Sequence, residues 1–267
     1  MSGVTVVKLG GSLLEDPVRR ESALDAIAAR ARRHRGRGHI ADPLVVVHGG
    51  GRHVDGWLSR LGLPRAIHQG IRITDEPTLD VVIAVLSGLV NKTLVAELAA
   101  RGLRAFGLSG VDAGLLTASR MEADGSADFG HVGQVTRCNA DAVRTLIEAG
   151  HIPVIASLAL SESGQILNIN ADAAASAIAV ALPARRLVFL TDVDGLLDSR
   201  GRRVSRLNAA GARVLLQTPI VTGGMRPKLN ACLQALASGV DQILIAGPRQ
   251  HERALLRGEG GTRLVAA

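Results

Sequence analysis

Short apolar runs, separated by longer segments with helical periodicity, dominate the pattern along the chain. The runs do not alternate apolar and polar positions, which is typical of strands buried on both faces of a sheet. They predict six strands, at residues 4–7, 44–47, 104–109, 152–157, 187–191 and 242–246. The segments between them predict helices at 18–34, 76–101, 140–149, 171–182 and 228–238. This alternation indicates an α/β protein with a mostly parallel central sheet sandwiched by helices.

The composition fits one large domain or two small ones and limits what can fill the core. Of the 267 residues 47% are hydrophobic, but they include one Trp, three Phe and no Tyr, so Ala, Val, Leu and Ile must form the core. No apolar stretch approaches about 18 residues without a charge, so we expect no transmembrane helix. The N-terminus does not resemble a secretory signal. Cys138 and Cys232 have no metal or redox spacing, so we expect a cytoplasmic protein with two core thiols.

The net charge of +7 is compatible with an anionic ligand or with nucleic acid. The densest basic stretch, ARARRHRGRGH at 29–39, is interpreted as a solvated helix end. It has no accompanying aromatic stacking set or recognition motif, so we expect no specific nucleic-acid partner.

Lysine is rare in this arginine-rich chain. Of 31 basic residues only Lys8, Lys92 and Lys228 are lysines, which makes them candidates for positions that need a compact ammonium group. The surrounding residues support such a role for Lys8 and Lys228. The role of Lys92 stays open.

Glycine-rich segments follow four of the predicted strands, at the edge where open α/β sheets bind ligands. They are KLGGS from Lys8, HGGG from His48, GLSG from Gly107 and TDVDG from Thr191. Glycines let backbone N–H groups approach an anion, and a helix N-terminus adds a favourable dipole. The two multiple-glycine turns, including Gly10 and Gly11, therefore indicate phosphate binding. No GxxxxGK(S/T) motif occurs, and HGGGRHVDG does not fit GxGxxG, which weighs against Walker-type and dinucleotide folds.

Two later segments carry further candidate chemistry. ILNINAD at 166–172 puts Asn168 and Asn170 on one face if it is extended, with Asp172 beginning the next helix and available as its N-cap. VTGGMRPK at 221–228 puts two glycines before Lys228 at another helix start.

Several segments in the same order resemble the N-acetylglutamate kinase family of the amino acid kinase superfamily. They are VVKLGGS, VVVHGGG, GIRIT, LVNKTLV, GLSGVDAGLL, GHVG, ILNINADAAA, LTDVDGLLD and TGGMRPKLNA. The resemblance implies the amino acid kinase fold with two lobes: residues 1–183 for the acid substrate and dimerisation, and residues 184–267 for ATP. It also implies transfer of phosphate from MgATP to the side-chain carboxylate of N-acetyl-L-glutamate, in arginine biosynthesis.

The resemblance assigns roles to individual residues. The implied catalytic residues are Lys8, Gly11, Asp172 and Lys228, with both lysines meeting the phosphoryl group and Asp172 orienting them. The implied substrate-binding residues are Gly50, Gly51, Arg72, Asn168 and Asn170, with Arg72 on the α-carboxylate. The implied ATP-binding residues are Asp192, Val193, Asp194, Gly195, Leu196, Leu197, Ile220, Val221 and Thr222.

Such a reaction needs positioning and charge neutralisation rather than a general base, because the attacking carboxylate is already ionised. Mg²⁺ is expected with ATP, without an assigned protein ligand, since it often binds mainly phosphates and water.

The family pattern is not matched everywhere, and alternatives stay open. Some members carry an N-terminal helix that interlaces dimers into arginine-inhibited hexamers. Here three residues precede Val4, so we expect a homodimer insensitive to arginine. GLVNK and GLSGVD also suit a sister kinase acting on a carrier-linked aminoadipate or glutamate, or on another N-acyl amino acid, whereas HGGG and NINAD favour N-acetylglutamate. A non-catalytic amino-acid or nucleotide sensor has no need of Lys8, Asp172 and Lys228 together.

Overall fold

The computed structural model describes residues 3–33, 43–68, 70–123, 125, 128–198, 200–219, 221 and 223–266. The strands in these ranges are β1 Thr5–Leu9, β2 Leu44–His48, β3 Ile67–His68, β4 Ile71–Arg72, β5 Ala105–Ser109, β6 Leu116–Arg120, β7 Val132–Cys138, β8 Ile152–Ala156, β9 Leu158–Leu160, β10 Ile166–Ile169, β11 Arg186–Leu190, β12 Arg206–Asn208, β13 Gln242–Ala246 and β14 Thr262–Val265. The α-helices are α1 Gly11–Glu15, α2 Pro17–Arg33, α3 Gly51–Arg60, α4 Glu76–Ile83, α5 Asn91–Ala100, α6 Asp141–Glu148, α7 Ala171–Ala181, α8 Ala209–Leu216, α9 Met225–Ala237 and α10 His251–Arg257.

An eight-stranded sheet, in the order β12-β14-β13-β11-β1-β2-β8-β5, forms the centre of the described chain. Its pairs are parallel except for β13 with β14. The predicted α/β fold with a mostly parallel sheet is confirmed, and all six predicted strands are present. Strands after residue 184 occupy one half of this sheet and earlier strands the other. The lobe boundary at residue 183 stays a prediction.

The sheet is covered on both faces, as the uninterrupted apolar runs predict. Every residue of β1 and β2 is buried. Val6 and Val45 contribute to one core cluster, and their chain neighbours Val7 and Val46 contribute to the other. Because successive side chains of a strand point to opposite faces, this division means that both faces are packed.

A second, smaller sheet joins β10, β7, β6 and β9 in a closed arrangement. The apolar pattern does not predict these strands, nor β12, β14 and helices α3, α8 and α10. β10 ends at Ile169, one residue before the Asn170 N-cap of α7. This small sheet therefore fixes the start of α7 next to the central sheet.

A continuous helical run, Glu76–Ala100, crosses one face of the central sheet, with a π-helical middle at Ala84–Val90. Among the described residues it alone has the length and hydropathy of a membrane-spanning helix. Its residues Val82, Leu86 and Leu94 are buried in the core cluster that also contains Val7. Helices that are apolar on most sides are typical of protein cores, so we interpret this run as a core helix.

Arg30 differs from the interpretation of the arginine-rich stretch 29–39 as a solvated helix end. The described part of helix α2 reaches Arg33, and residues 34–42 lie outside the described part of the chain. Arg30 is 3% exposed and donates to the Leu255 carbonyl and the Thr5 hydroxyl. This arginine therefore links α2 to β1 and α10, and its hydrogen bonds offset the cost of burying its charge.

Candidate active site

A cavity of about 970 Å³ opens where β1, β2 and β10 end. It collects eight of the predicted site residues, which are Lys8, Gly11, Gly50, Gly51, Arg72, Asn168, Asn170 and Asp172. Lys228 joins the group through direct contact with Asp172. The predicted ATP segment 192–197 and Val221 do not line this cavity. Ile220 and Thr222 lie outside the described residues.

Three buried charges meet at the centre of the cavity. Lys8 Nζ lies 2.7 Å from Asp172 Oδ1. Lys228 Nζ lies 3.1 Å and 3.0 Å from Asp172 Oδ1 and Oδ2. The three side chains come from β1, α7 and α9, and each is less than 10% exposed. One carboxylate thus holds two ammonium groups side by side.

The start of α7 leaves the Asp172 carboxylate available for this role. Asn170 is the N-cap of the helix, and its Oδ1 accepts hydrogen bonds from the backbone N–H groups of Asp172 and Ala173. The expectation that Asp172 could cap the helix is therefore wrong. Asn170 satisfies the free N–H groups, and the Asp172 side chain turns to the lysines instead.

The protonation states follow from burial and from the neighbouring charges. Burial by itself raises the pKa of Asp172, but the Lys8 and Lys228 ammonium groups outweigh it and hold the pKa at about 2. Burial lowers the pKa of Lys8, and Asp172 opposes that shift. Two ammonium groups on one carboxylate give the cluster a formal net positive charge at a buried position. A buried charge needs compensation, and an anionic phosphoryl group would supply it.

Arg72 lies in the same cavity with one side of its guanidinium engaged. Its Nη2 lies 2.6 Å from Asp55 Oδ1 and donates to the Gly51 carbonyl at 2.9 Å. Its Nη1 is buried and has no hydrogen-bond partner in the described part of the chain. A guanidinium fixed at one nitrogen and free at the other can bind a carboxylate of a ligand.

The glycines of the two turns differ in what they offer. The Gly10 N–H donates to the Leu190 carbonyl, so the expectation that both Gly10 and Gly11 offer free donors is wrong for Gly10. Gly11 is the first residue of α1, where a backbone N–H has no acceptor within the helix. A Cβ on Gly50 would lie 2.8 Å from Leu86 Cδ2, so a side chain there would displace the cavity wall.

Two residues that sequence reasoning did not assign to the site hold Arg72 and Asn168 in place. Asp55 holds Arg72, and Thr74 accepts a hydrogen bond from Asn168 Nδ2 at 3.1 Å while donating to the Arg72 carbonyl. Asp55 lies one helical turn after Gly51 in HGGGRHVDG, and that spacing was the available signal.

The segment 192–197 follows β11 at the same edge of the sheet. Gly195 and Leu196 are buried, and the Leu196 N–H donates to the Thr262 hydroxyl at 2.8 Å. Because the Leu196 side chain packs in the core, it would meet a nucleotide only through its backbone. Asp192, Val193, Asp194 and Leu197 are exposed. Asp192 is exposed but partly desolvated, which raises its pKa; hydrogen bonds from the Ser12 and Thr191 hydroxyls outweigh this and lower the pKa, so Asp192 is ionised.

The cavity also extends away from Arg72, along α7. Ala177, Val180 and Ala181 form its floor, between β7 and the Gln234 side of α9. We call this part the α7 groove. Its floor is small and apolar, in contrast to the charged centre, and Arg137 of β7 also lines the cavity.

The described residues contain no group of three His, Cys, Asp or Glu side chains that could hold a metal ion. Both oxygens of Asp172 contact ammonium groups. The residues present therefore do not fit a Mg²⁺ ion held by the protein alone.

Cys138 and Cys232 are unpaired, and burial raises the pKa of the Cys138 thiol to about 12.

The relatives found by comparison with known proteins agree with one another. Residues 3–247 match the model of the amino acid kinase family. Acetylglutamate kinase of Solibacter usitatus is 42% identical over 266 residues, covering 98% of this chain and 99% of that protein. Acetylglutamate kinase of Methanopyrus kandleri is 42% identical over 261 residues, covering 96% and 98%. A solved structure of a Streptococcus mutans protein matches with a TM-score of 0.83 at 28% identity over 100% of both chains.

Proposed function

The chain belongs to the amino acid kinase family, and from this premise we propose that it transfers the γ-phosphate of ATP to the side-chain carboxylate of N-acetyl-L-glutamate. The product is an acyl phosphate, N-acetylglutamyl 5-phosphate, which serves arginine biosynthesis. The attacking oxygen of the carboxylate forms a bond to the γ-phosphorus, the bond from that phosphorus to the β-γ bridging oxygen breaks, and ADP leaves. No proton needs to be removed from the attacking group.

The observation that carries this proposal is the buried pair of ammonium groups on Asp172. Two anions at 4 Å repel by roughly 4 kcal/mol at an effective dielectric of about 20, so bringing a carboxylate to a γ-phosphate needs nearby positive charge. Lys8 supplies that charge from β1 and Lys228 supplies it from α9. Asp172 keeps them together before the substrates arrive, so the positive charges are already in place for the transition state.

The acid substrate fits the Arg72 side of the cavity. The unpartnered Arg72 Nη1 binds the α-carboxylate, and Asn168 contacts the acetamido group. Gly50 and Gly51 line the space between Arg72 and the lysines and leave room for the acid to extend towards Lys8. This arrangement puts the side-chain carboxylate near the ammonium groups.

ATP approaches from the side of β11 and α9. The exposed residues Asp192, Val193 and Asp194 contact the nucleotide, and the backbone of Gly195 to Leu197 shapes its site. Val221 belongs to the same set, with Ile220 and Thr222. Mg²⁺ accompanies ATP and is bound by phosphate oxygens and water rather than by a protein cluster, so we derive no step through a metal held by the protein.

An acyl-phosphate trap tests the reaction and its substrate together. Purified protein, MgATP and hydroxylamine are incubated with N-acetyl-L-glutamate and, in separate tubes, with glutamate, N-acetylaspartate and aminoadipate. Hydroxamate from N-acetyl-L-glutamate alone is the expected result, and N-acetyl-D-glutamate is the matched control. Hydroxamate from another acid would mean that this acid is the substrate, while the proposed reaction stays the same. No hydroxamate from any acid contradicts the proposal and favours a carrier-linked acid or a sensor.

Expectations about the lobes and the assembly accompany this proposal. Residues 1–183 bind the acid and residues 184–267 bind ATP, with the boundary near Pro183. The protein is a cytoplasmic homodimer, and the exposed edge strand β5 with its exposed Phe106 is a candidate contact surface. Size-exclusion chromatography with and without arginine checks the assembly. A dimer unaffected by arginine agrees with the expectation, and a hexamer contradicts it.

A further inference from the structure

Lys92, the third lysine of the chain, lies outside the reaction centre but is connected to the acid site. Its Nζ donates to the side-chain oxygen of Asn91 at 3.1 Å and to the Gly107 carbonyl at 3.2 Å. Lys92 itself is exposed, whereas Asn91 is fully buried. An ammonium has donors and no acceptor, so it fixes the Asn91 amide with Oδ1 towards Lys92.

The opposite end of the Asn91 amide ties three neighbouring strands together. Its Nδ2 donates to the Val154 carbonyl of β8 at 2.8 Å and approaches the Leu108 carbonyl of β5 at 3.2 Å. The same nitrogen lies 3.0 Å from Nε2 of His48, at the end of β2. Since Nδ2 can only donate, His48 Nε2 must accept, and the ring proton must be on Nδ1.

That proton points into the glycine turn of the acid site. His48 Nδ1 lies 2.9 Å from the Gly49 carbonyl, and His48 is fully buried. Burial lowers the pKa of His48 to about 4, so the ring is neutral at neutral pH. Each group thus donates a hydrogen bond to the next one, from Lys92 to Asn91, from Asn91 to His48 and from His48 to the Gly49 carbonyl.

The turn that receives this hydrogen bond also holds Arg72. A Cβ on Gly49 would lie 3.2 Å from Ala171 Cβ, next to Asp172, and the Gly51 carbonyl accepts from Arg72 Nη2. A shift of the Gly49 peptide would therefore move the Gly51 carbonyl and the guanidinium bound to it.

We propose that Lys92, Asn91 and His48 form a hydrogen-bonded relay that positions the turn His48–Gly51 so that Arg72 can bind the acid substrate. These three are positioning residues, because none of them lines the cavity. The inference rests on the proposed function, since it assumes that the acid binds at this turn. A merely structural relay would tie β2, β8 and β5 together without affecting the affinity for the acid.

The first experiment reads the tautomer without any assay of activity. Heteronuclear NMR distinguishes protonated from unprotonated imidazole nitrogens, and the His48 signals are assigned by their loss in His48→Asn. We expect a protonated Nδ1 and an unprotonated Nε2. A protonated Nε2 would overturn the relay, whether or not the protein is a kinase.

The second experiment separates the two hydrogen bonds of the ring. His48→Gln can still accept from Asn91 but cannot reach the Gly49 carbonyl, whereas His48→Asn can still donate to Gly49. Loss of one hydrogen bond predicts roughly a tenfold rise in KM for the acid in His48→Gln. KM for ATP and kcat should stay within about twofold, and His48→Asn should give a smaller rise for the acid. His151→Gln, a histidine at the opposite end of the sheet, is the matched control.

Lys92 variants keep the test valid if buried substitutions unfold the protein. Lys92→Met removes an exposed ammonium and should raise KM for the acid several-fold, and Lys92→Arg should restore most of it. Unchanged KM for the acid in His48→Gln and Lys92→Met, or equal rises for acid and ATP, would overturn the inference. Failure of the wild-type protein to phosphorylate N-acetyl-L-glutamate would instead contradict the proposed function.

Discussion

Asp172→Asn removes the negative charge of the buried cluster while keeping the size of the side chain. Lys8 Nζ and Lys228 Nζ contact the same Oδ1 at 2.7 and 3.1 Å. They are therefore at most about 6 Å apart, so two unit charges there repel by at least roughly 3 kcal/mol at an effective dielectric of about 20. Removing one partner of a buried ion pair costs about 3–5 kcal/mol. We expect Asp172→Asn to lower the free energy of unfolding by about this amount and to abolish most turnover.

Urea unfolding followed by circular dichroism at neutral pH measures the loss. Asp141→Asn is the matched control, because Asp141 pairs with Arg144 at a similar 2.7 Å but its side chain is 77% exposed. Exposed pairs contribute about 0–1 kcal/mol, so the control should change little. Burial already lowers the pKa of Lys8, and loss of Asp172 lowers it further. The folded variant then releases a proton before the unfolded chain does, so its stability deficit should shrink as the pH rises towards about 10.

A double variant tests whether repulsion between the lysines causes the loss. Asp172→Asn combined with Lys228→Met removes one of the two repelling charges and should be more stable than Asp172→Asn alone. The reasoning is refuted if Asp172→Asn loses no more than Asp141→Asn, or if the two substitutions in the double variant simply add their costs.

Three further predictions concern single residues of the site and its support. Lys8→Arg should keep the fold by circular dichroism but lose on the order of a hundredfold in kcat, because a planar fork cannot replace the compact ammonium; near-normal turnover would contradict this. Arg72→Ala should raise KM for the acid by roughly 10- to 100-fold and KM for ATP little, since a charge-assisted contact is lost, and equal effects would count against this role. Burial lowers the pKa values of His48 and His251 to about 4 in the folded state, whereas an exposed histidine has a value of 6.5. As the pH falls, the unfolded chain therefore binds protons before the folded chain does. Each histidine should lower the free energy of unfolding by roughly 3 kcal/mol between about pH 6.5 and about pH 4. Urea unfolding should find that His48→Gln halves this loss.

The strands of the central sheet could be predicted because each is a short apolar run bounded by turn residues. β1 and β2 are buried along their whole length, so their pattern needs no information from elsewhere in the chain. The strands of the small sheet are different. In β7, for example, buried and exposed residues are mixed, and β6 and β10 are stabilised by pairing with distant segments. Such strands depend on tertiary contacts that local patterns do not contain.

Helix α3 was missed for a local reason. Its sequence GRHVDGWLSR contains two glycines, which disfavour helix, and the segment follows a glycine turn. Packing of Val54 and Leu58 in the core outweighs that preference. Its second turn begins with Asp55, so missing the helix also meant missing the carboxylate that holds Arg72.

The candidate site shows the same division between local and long-range information. Lys8, Asp172 and Lys228 could be named because the family resemblance supplied their partners, although they are more than 50 residues apart in sequence. Asn170 and Asp172 are both acceptable N-caps by residue type, and the sequence alone does not show that the helix begins at Ala171 with Asn170 as its cap. The relay through His48 and Asn91 joins a helix to three strands, so no periodicity along the chain could have indicated it.

A crystal structure with a non-hydrolysable ATP analogue and N-acetyl-L-glutamate tests the central claim most directly. We predict the γ-phosphate between the ammonium groups of Lys8 and Lys228, with the α-carboxylate of the acid on Arg72 and its side-chain carboxylate facing the phosphorus. The account is contradicted if the acid binds in the α7 groove, or if the γ-phosphate lies beyond hydrogen-bond reach of both lysines.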